Sequence, residues 1–170
     1  LAKPEFKPRA LLKRFNIELI ATTEGALNDL KHHAKLKGTG YEHKVITTFR
    51  PDDVVDADRA DFAKNVAKLG ELTGEDTQTW QGYLQALRIR RAFFREHGAT
   101  ATDHGHPSAI TADLSAEDAA ALFQRCLAGT ASSVETELFR GQMLTEMAGM
   151  SVEDGMTMQI HPGAHRNHNR

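Results

Sequence analysis

The residues of this chain that are best suited to chemistry follow short apolar runs. Arg50 comes directly after VITTF, Asp103 and His104 come after ATAT, and His161 comes after MQI. In α/β barrels and open parallel sheets, the loops at the carboxyl ends of the strands converge, and active sites are assembled there. The repeated placement of polar residues at strand ends predicts a catalytic face along one edge of a parallel sheet.

His161 is the candidate that its neighbours constrain most. Pro162 and Gly163 follow it directly, so the strand must turn there, and we expect the imidazole to face the mouth of the sheet. A neutral imidazole is a natural ligand for zinc or another divalent ion. The alternative is a half-buried histidine with a satisfied hydrogen bond, because one imidazole does not make a metal site and His165 and His168 are irregularly spaced from it.

Arg50 and the His104–His106 pair each allow two interpretations. The Arg50 guanidinium is suited to binding a carboxylate through two parallel hydrogen bonds, but it could instead form a structural salt bridge with Asp52 or Asp53. A His-x-His pattern is compatible with metal binding and with a solvated loop. From the residues alone, both alternatives stay open.

The patterns between these residues predict alternating strands and helices. The predicted strands cover residues 15–23, 44–49, 99–103 and 156–160, and the predicted helices cover 25–36, two stretches between 58 and 98, a stretch after Ser115 and 134–150. Such alternation is typical of an α/β fold in which helices cover a parallel sheet, here as a single segment over residues 1–170. The N-terminal stretch KPEFKPR, with two prolines, is predicted to be irregular.

The composition excludes several classes of protein. Of the 170 residues, 40% are hydrophobic and 26% are charged, and the net charge of -2 leaves no basic surplus for nucleic acid. No apolar run approaches the roughly 20 residues of a membrane span, and no secretory signal pattern is present, so we predict a cytoplasmic protein. Cys126, the single cysteine, occupies an apolar position of a predicted helix and is expected to be a buried structural thiol.

Four stretches of the chain together resemble the uronate isomerase (glucuronate isomerase) family of the amidohydrolase superfamily. They read ELIATTEGALNDLKHH, VITTFRPD, GATATDHG and MQIHPGAHRNHN. The last is the most specific, because a strand of Met, Gln, an apolar residue and His followed by Arg-Asn-x-Asn is a mark of the family. The resemblance extends from about residue 15 to residue 170.

The resemblance implies an enzyme built on a (β/α)8 TIM barrel. Such an enzyme interconverts D-glucuronate with D-fructuronate, and D-galacturonate with D-tagaturonate, by moving a proton between C1 and C2. It also implies that this chain is a partial barrel, about the second to fifth of the eight strands with their helices. The complete enzyme would act on a small-molecule uronate sugar, use a divalent metal such as zinc, and could assemble as a homo-oligomer.

The same resemblance gives roles to individual residues. His161 matches the metal-ligand histidine of the fifth strand, and Arg50 is the candidate for holding the substrate carboxylate. Asp103 and His104 match positions expected to be catalytic, and Arg166 matches a second substrate-binding position. The family's first-strand His-x-His pair and eighth-strand aspartate have no counterpart here.

Two other functions stay open from the sequence. A metal-dependent hydrolase of the same superfamily would attack its substrate with a metal-bound hydroxide. Alternatively, the chain could be a non-catalytic fragment that needs the rest of the barrel, because four strands leave two open edges and an uncovered face. The missing initiator methionine and the stop soon after a strand are what a truncated chain would show.

Overall fold

A parallel four-stranded sheet organises the chain in the computed structural model, which describes residues 3–42 and 44–163. Its strands are β1 (Ile20–Gly25), β2 (Val45–Arg50), β3 (Ala101–His104) and β4 (Thr157–Ile160). They pair in chain order, and every pair is parallel. Strands that keep chain order, joined by crossovers of one hand, have the topology of a barrel rather than of a doubly wound sheet, so the prediction of a partial (β/α)8 barrel is met.

Seven helices are present in the described residues, after a single 3-10 turn at Pro4–Phe6. They are α1 (Pro8–Arg14), α2 (Lys31–Ala34), α3 (Asp52–Val55), α4 (Phe62–Thr73), α5 (Trp80–Glu96), α6 (Ala116–Leu127) and α7 (Ser133–Asp154). The predicted helices between 58 and 98 are confirmed as α4 and α5, and those after Ser115 as α6 and α7. None of the described helices is long and apolar enough to cross a membrane.

Side-chain caps fix where α6 and α7 begin. The Ser115 hydroxyl accepts a hydrogen bond from the Asp118 amide at the start of α6. Ser132 and Glu135 form a reciprocal capping box at the start of α7. Each cap satisfies amide groups that the first turn of a helix leaves without a partner, which is why serine marks both starts in the sequence.

Two predictions for the first part of the chain are wrong. The N-terminal stretch predicted to be irregular forms the 3-10 turn and α1, because Pro8 stands at the first helical position, where its missing N–H costs no hydrogen bond. The first strand begins at Ile20 rather than at residue 15 and continues to Gly25. Asn16 has a left-handed backbone (φ 50), which interrupts the extended run that the residue types suggest.

The helix predicted over residues 25–36 is also wrong, since only the four residues of α2 are α-helical. The Asn28 side chain accepts a hydrogen bond from the Leu30 amide, and Leu30 has a left-handed φ of 52. Such local turns compete with helix formation. The carbonyl oxygens of Ala26 and Asn28 accept hydrogen bonds from Arg90 of α5 at 2.8 and 2.7 Å, so a distant side chain replaces the helical partners.

The core lies between the sheet and the long helices. Phe49 of β2 packs edge to face against Phe94 of α5, with ring centroids 5.0 Å apart. A second aromatic cluster joins α4 to α7: Phe62, Trp80, Tyr83, Phe123 and Phe139. Cys126 is buried in this layer, and burial raises the pKa of its thiol to about 12, which confirms a structural role.

The other face of the sheet is only partly covered. Side chains that alternate with the core residues are exposed in both outer strands: Ala21, Thr23, Thr157 and Gln159. Within the described residues β1 and β4 each have one neighbouring strand, so each has a free edge. The prediction of two open edges and an uncovered face is therefore confirmed.

One ion pair is enclosed between α5 and α7. Arg91, which is 0% exposed, donates hydrogen bonds from Nε and Nη2 to the two carboxylate oxygens of Asp154 at 2.6 and 2.9 Å. Burial opposes the ionisation of Asp154, but the hydrogen bonds from Arg91 and the Met156 amide, together with the charges of Arg91 and Arg95, outweigh it, and the pKa of Asp154 is lowered. The neighbouring pair of Arg88 and Glu153 is instead at the surface, where the Glu153 side chain is 54% exposed.

We expect Asp154→Ala to lower the free energy of unfolding by about 3 kcal/mol, because the substitution leaves the Arg91 charge buried without a counter-ion. Glu153→Ala is the matched control, and loss of an exposed pair should cost less than about 1 kcal/mol. Urea unfolding followed by circular dichroism measures both. Equal losses in the two variants would contradict the enclosed ion pair.

Candidate active site

Strand alternation separates the polar residues onto the two faces of the sheet. Phe49 packs on α5, and its pairing with Thr102 in the adjacent strand puts Thr102 on the same, helix-covered side. The next residues along the two strands, Arg50 and Asp103, therefore project from the opposite face, which is the interior face of a barrel. His161 lies two residues beyond the β4 partner of Asp103 and shares that face.

Arg50, Asp103 and His161 meet at the carboxyl ends of three adjacent strands. His161 Nε2 lies 2.6 Å from Asp103 Oδ1, and Arg50 Nη1 lies 3.5 Å from Asp103 Oδ2. The Asp103 side chain is 14% exposed, whereas the His161 side chain is 41% exposed. The structure thus brings together three of the five residues predicted for the site, with the carboxylate inside and the imidazole open to solvent.

Asp52 holds Arg50 from the other side. Arg50 Nε donates to Asp52 Oδ2 at 2.7 Å, and Asp52 Oδ1 accepts from the Gly105 amide at 3.2 Å. The salt bridge to Asp52, one of the two partners proposed from the sequence, is present, whereas Asp53 accepts a hydrogen bond from the Ala26 amide. No hydrogen bond between described residues engages Nη1 or Nη2 of Arg50, although Nη1 lies within ion-pair distance of Asp103.

A cavity of about 380 Å³ opens beside this group. Its lining comes from the ends of β1, β2 and β3 and the loop after β2: Gly25, Arg50, Asp52, Asp53, Asp56, Arg59 and Gly105. Burial raises the pKa of Asp53 against the opposing effect of hydrogen bonds from backbone amides. The cavity therefore lies where the sequence predicts a catalytic face, and its wall is rich in both carboxylate and guanidinium groups.

His104 is not part of this group. It is fully buried on the helix-covered face, where its Nε2 lies 2.8 Å from Thr102 Oγ1. Burial, together with the proximity of His106, lowers the pKa of His104 to about 3, so the ring is neutral at physiological pH. The catalytic role predicted for His104 stays a prediction, and the geometry gives it no direct approach to the interior face.

His106 is buried as well, with 4% of its surface exposed and its ring centroid 5.9 Å from that of His104. The interpretation of this His-x-His pattern as a solvated loop is therefore wrong. Burial also lowers the pKa of His106. Among the described residues, no group of three or more His, Cys, Asp or Glu side chains is placed to hold a metal ion.

Arg140 of α7 is a neighbour of the site that sequence reasoning missed. Although it is only 7% exposed, it donates hydrogen bonds to Asp56, at 3.2 Å, and to Asp58 and Glu137. Ser108 donates to Glu137 as well. Arg140 thereby ties the loop after β2 to α7, and Glu137 ties the loop after β3 to the same helix. An arginine within a helix segment that is otherwise buried was the signal that could have identified it.

Two predicted features have no direct structural counterpart. Arg166, like His165 and His168, lies outside the described residues, so its substrate-binding role stays a prediction. The donor set for a divalent metal is also incomplete in the described part of the chain, where His161 and Asp103 are bonded to each other without a third ligand beside them. The described residues alone therefore do not fit a zinc site.

Comparisons with known sequences agree along the whole chain. The family model described as glucuronate isomerase matches residues 1–170. The chain is 57% identical over 169 residues to the uronate isomerase of Phenylobacterium zucineum (strain HLK1), and 58% identical over 170 residues to that of Xanthomonas oryzae pv. oryzae. These matches cover 99% and 100% of this chain but 35% and 36% of those proteins, so the chain spans about a third of their length.

Solved structures show the same relationship. The crystal structure of glucuronate isomerase from Caulobacter crescentus matches with a TM-score of 0.93 at 51% identity, covering 99% of this chain and 35% of that one. The uronate isomerase of Thermotoga maritima matches with a TM-score of 0.89 at 30% identity, covering 98% and 37%. The predicted partial barrel is confirmed as a part of that fold.

The low pKa of His104 predicts a pH dependence of stability. Between the usual value of 6.5 and the folded value of about 3, the unfolded chain binds a proton that the folded chain does not. The free energy of unfolding should therefore fall as pH drops through this range, with a slope of up to about 1.4 kcal/mol per pH unit.

Urea unfolding at a series of pH values measures this slope in the native chain and in two variants. His104→Gln should reduce it, although His106, whose pKa burial also lowers, keeps a contribution of the same sign, while His32→Gln, at an exposed position, should retain the native slope. A His104→Gln variant with the native slope would show that another group carries the effect.

Proposed function

Since the chain belongs to the glucuronate isomerase family, we propose that it supplies the carboxylate-binding and proton-transfer residues of a uronate isomerase. In the complete enzyme the reaction is the aldose–ketose isomerisation of D-glucuronate to D-fructuronate and of D-galacturonate to D-tagaturonate. The observation that carries the proposal is the meeting of Arg50, Asp103 and His161 on one face of the partial barrel.

Arg50 is proposed to bind the carboxylate of the sugar. Its Nε is hydrogen-bonded to Asp52, and Nη1, which lies 3.5 Å from Asp103 Oδ2, and Nη2 make no hydrogen bond to a described residue. Two such donors match the two oxygens of a carboxylate, and the resulting charge-assisted bonds fix both the position and the orientation of the substrate. The side chain is 21% exposed beside the cavity, so a small molecule can reach it.

Asp103 and His161 are proposed to move the proton. The 2.6 Å contact to Asp103 fixes the orientation of the imidazole, and if Nε2 carries the shared hydrogen, Nδ1 is the basic atom that remains. A base at this position can accept the proton from C2 of the aldose, giving an enediolate, and return it to C1 once the hydroxyl proton has passed from O2 to O1. The buried carboxylate stabilises the imidazolium that forms in between.

Several further assignments are proposals that rest on the family resemblance. The resemblance would instead make His161 one ligand of a divalent metal, zinc in the first instance, which would polarise the substrate carbonyl; this is an alternative to its role as the base, because one ring nitrogen cannot both bind a metal and accept a proton. The proton-transfer scheme passes through no metal, because the described residues do not complete a metal site. We also propose a place in the amidohydrolase superfamily, a role in cytoplasmic uronate catabolism, a second substrate contact at Arg166 and homo-oligomeric assembly of the complete enzyme.

In the complete enzyme, Arg50→Lys should lower kcat/KM for D-glucuronate by about 100-fold, because lysine keeps the charge but not the paired donors. The melting temperature should change little by comparison. Arg88→Lys, at the exposed α5–α7 pair, is the control and should retain native kinetics.

The outcomes separate the alternatives. An active native enzyme with unchanged kcat/KM in Arg50→Lys would remove Arg50 from substrate binding. Hydrolysis of esters, amides or lactones without aldose–ketose exchange would instead favour the metal-dependent hydrolase. The isolated 170-residue chain, with its uncovered inner face, should show no turnover.

A further inference from the structure

Gly105, the residue directly after β3, lies against the guanidinium of Arg50. A Cβ atom at this position would stand 2.0 Å from Arg50 Nη2, 2.9 Å from Asp52 Oδ2 and 3.1 Å from His161 Cε1. Gly105 is not among the residues with a positive φ, so its backbone conformation is open to other residue types. Glycine is required here because the guanidinium occupies the space of a Cβ atom, not because the backbone needs a conformation that only glycine adopts.

Asp52 connects this close approach to the orientation of Arg50. One of its oxygens accepts from Arg50 Nε at 2.7 Å and the other from the Gly105 amide at 3.2 Å. A single carboxylate, 22% exposed at the start of α3, therefore clamps the arginine to the loop after β3. The clamp leaves Nη1 beside Asp103 and Nη2 against Gly105.

The charges around Arg50 make this orientation important. Asp52 and Asp103 together place two carboxylates against one guanidinium. Among the described residues, the group around Arg50 therefore has no excess of positive charge that would attract any anion. A substrate carboxylate must gain its affinity from directed hydrogen bonds, which depend on the angle of the guanidinium.

We infer that Asp52 and Gly105 are positioning residues that set the angle of Arg50 and thereby the selectivity for a carboxylate-bearing sugar over its uncharged analogue. The inference deepens the proposed function and rests on it. Asp52 supplies the acceptor that fixes the guanidinium, and Gly105 supplies the space that Nη2 of the guanidinium occupies. Neither residue needs to touch the substrate.

The test compares D-glucuronate with D-glucuronamide, its neutral isostere, as substrates of the complete enzyme. In Gly105→Ala and Asp52→Ala, KM for D-glucuronate should rise at least about tenfold while kcat stays within about threefold, and the preference over the amide should fall accordingly. Asp52→Asn should restore part of the preference, because its amide oxygen can still accept from Arg50 Nε. Gly149→Ala is the control, since a Cβ there meets no atom within 4 Å.

Each possible result either supports or overturns the inference. Native preference for D-glucuronate in both Gly105→Ala and Asp52→Ala would overturn the inference, and so would a loss of kcat that is equal for the two substrates, which would mark general structural damage. If the native enzyme isomerises no uronate, the proposed function fails and the inference fails with it. An active, selective native enzyme whose variants lose selectivity supports both.

Discussion

The in-order parallel pairing of the strands is the constraint on which the rest of the structure depends. The register joins Phe49 to Thr102 in one pair of strands and Asp103 to Gln159 in the next. Because side chains alternate along a strand, a slip of one residue in β3 would turn His104 to the interior face and Asp103 to the helices. Phe49 opposes such rearrangement of β2, since exposing a buried phenylalanine costs about 1.5–3 kcal/mol.

The buried arginines and Arg50 all donate charge-assisted hydrogen bonds, but they differ in how many donors are already used. Arg90 and Arg91 of α5 and Arg140 of α7 are almost fully buried, and each holds one segment of chain against another. Arg90 holds the loop after β1, and Arg140 holds the loop after β2. Arg50 is partly exposed, is held through Nε, and leaves its terminal nitrogens without hydrogen bonds to described residues. This difference in remaining donors is the reason for proposing Arg50, and not the buried arginines, as the arginine that binds substrate.

Sequence reasoning reached the strands and the long helices because their patterns are local. Phe49 and the capping residues Ser115 and Ser132 mark elements that the structure confirms. The segment after β1 was missed because distant Arg90 takes the carbonyl groups that a helix would use. The position of Asp103 at a strand end predicted its place in the site. The burial of His104 instead depends on how β3 pairs with its neighbours, and this register cannot be read from the sequence. The contacts of Gly105 and Arg140 likewise join segments far apart in the chain.

Asp103 and His161 are proposed to act as one unit in proton transfer. A double-mutant cycle on kcat/KM for D-glucuronate in the complete enzyme tests this most directly, with Asp103→Asn, His161→Asn and the two combined. If the two residues act together, removing either one already abolishes their joint contribution to kcat/KM. The double variant should therefore be little slower than the slower of the two single variants. Losses that add on the free-energy scale would contradict the account, because they would mean that carboxylate and imidazole act independently.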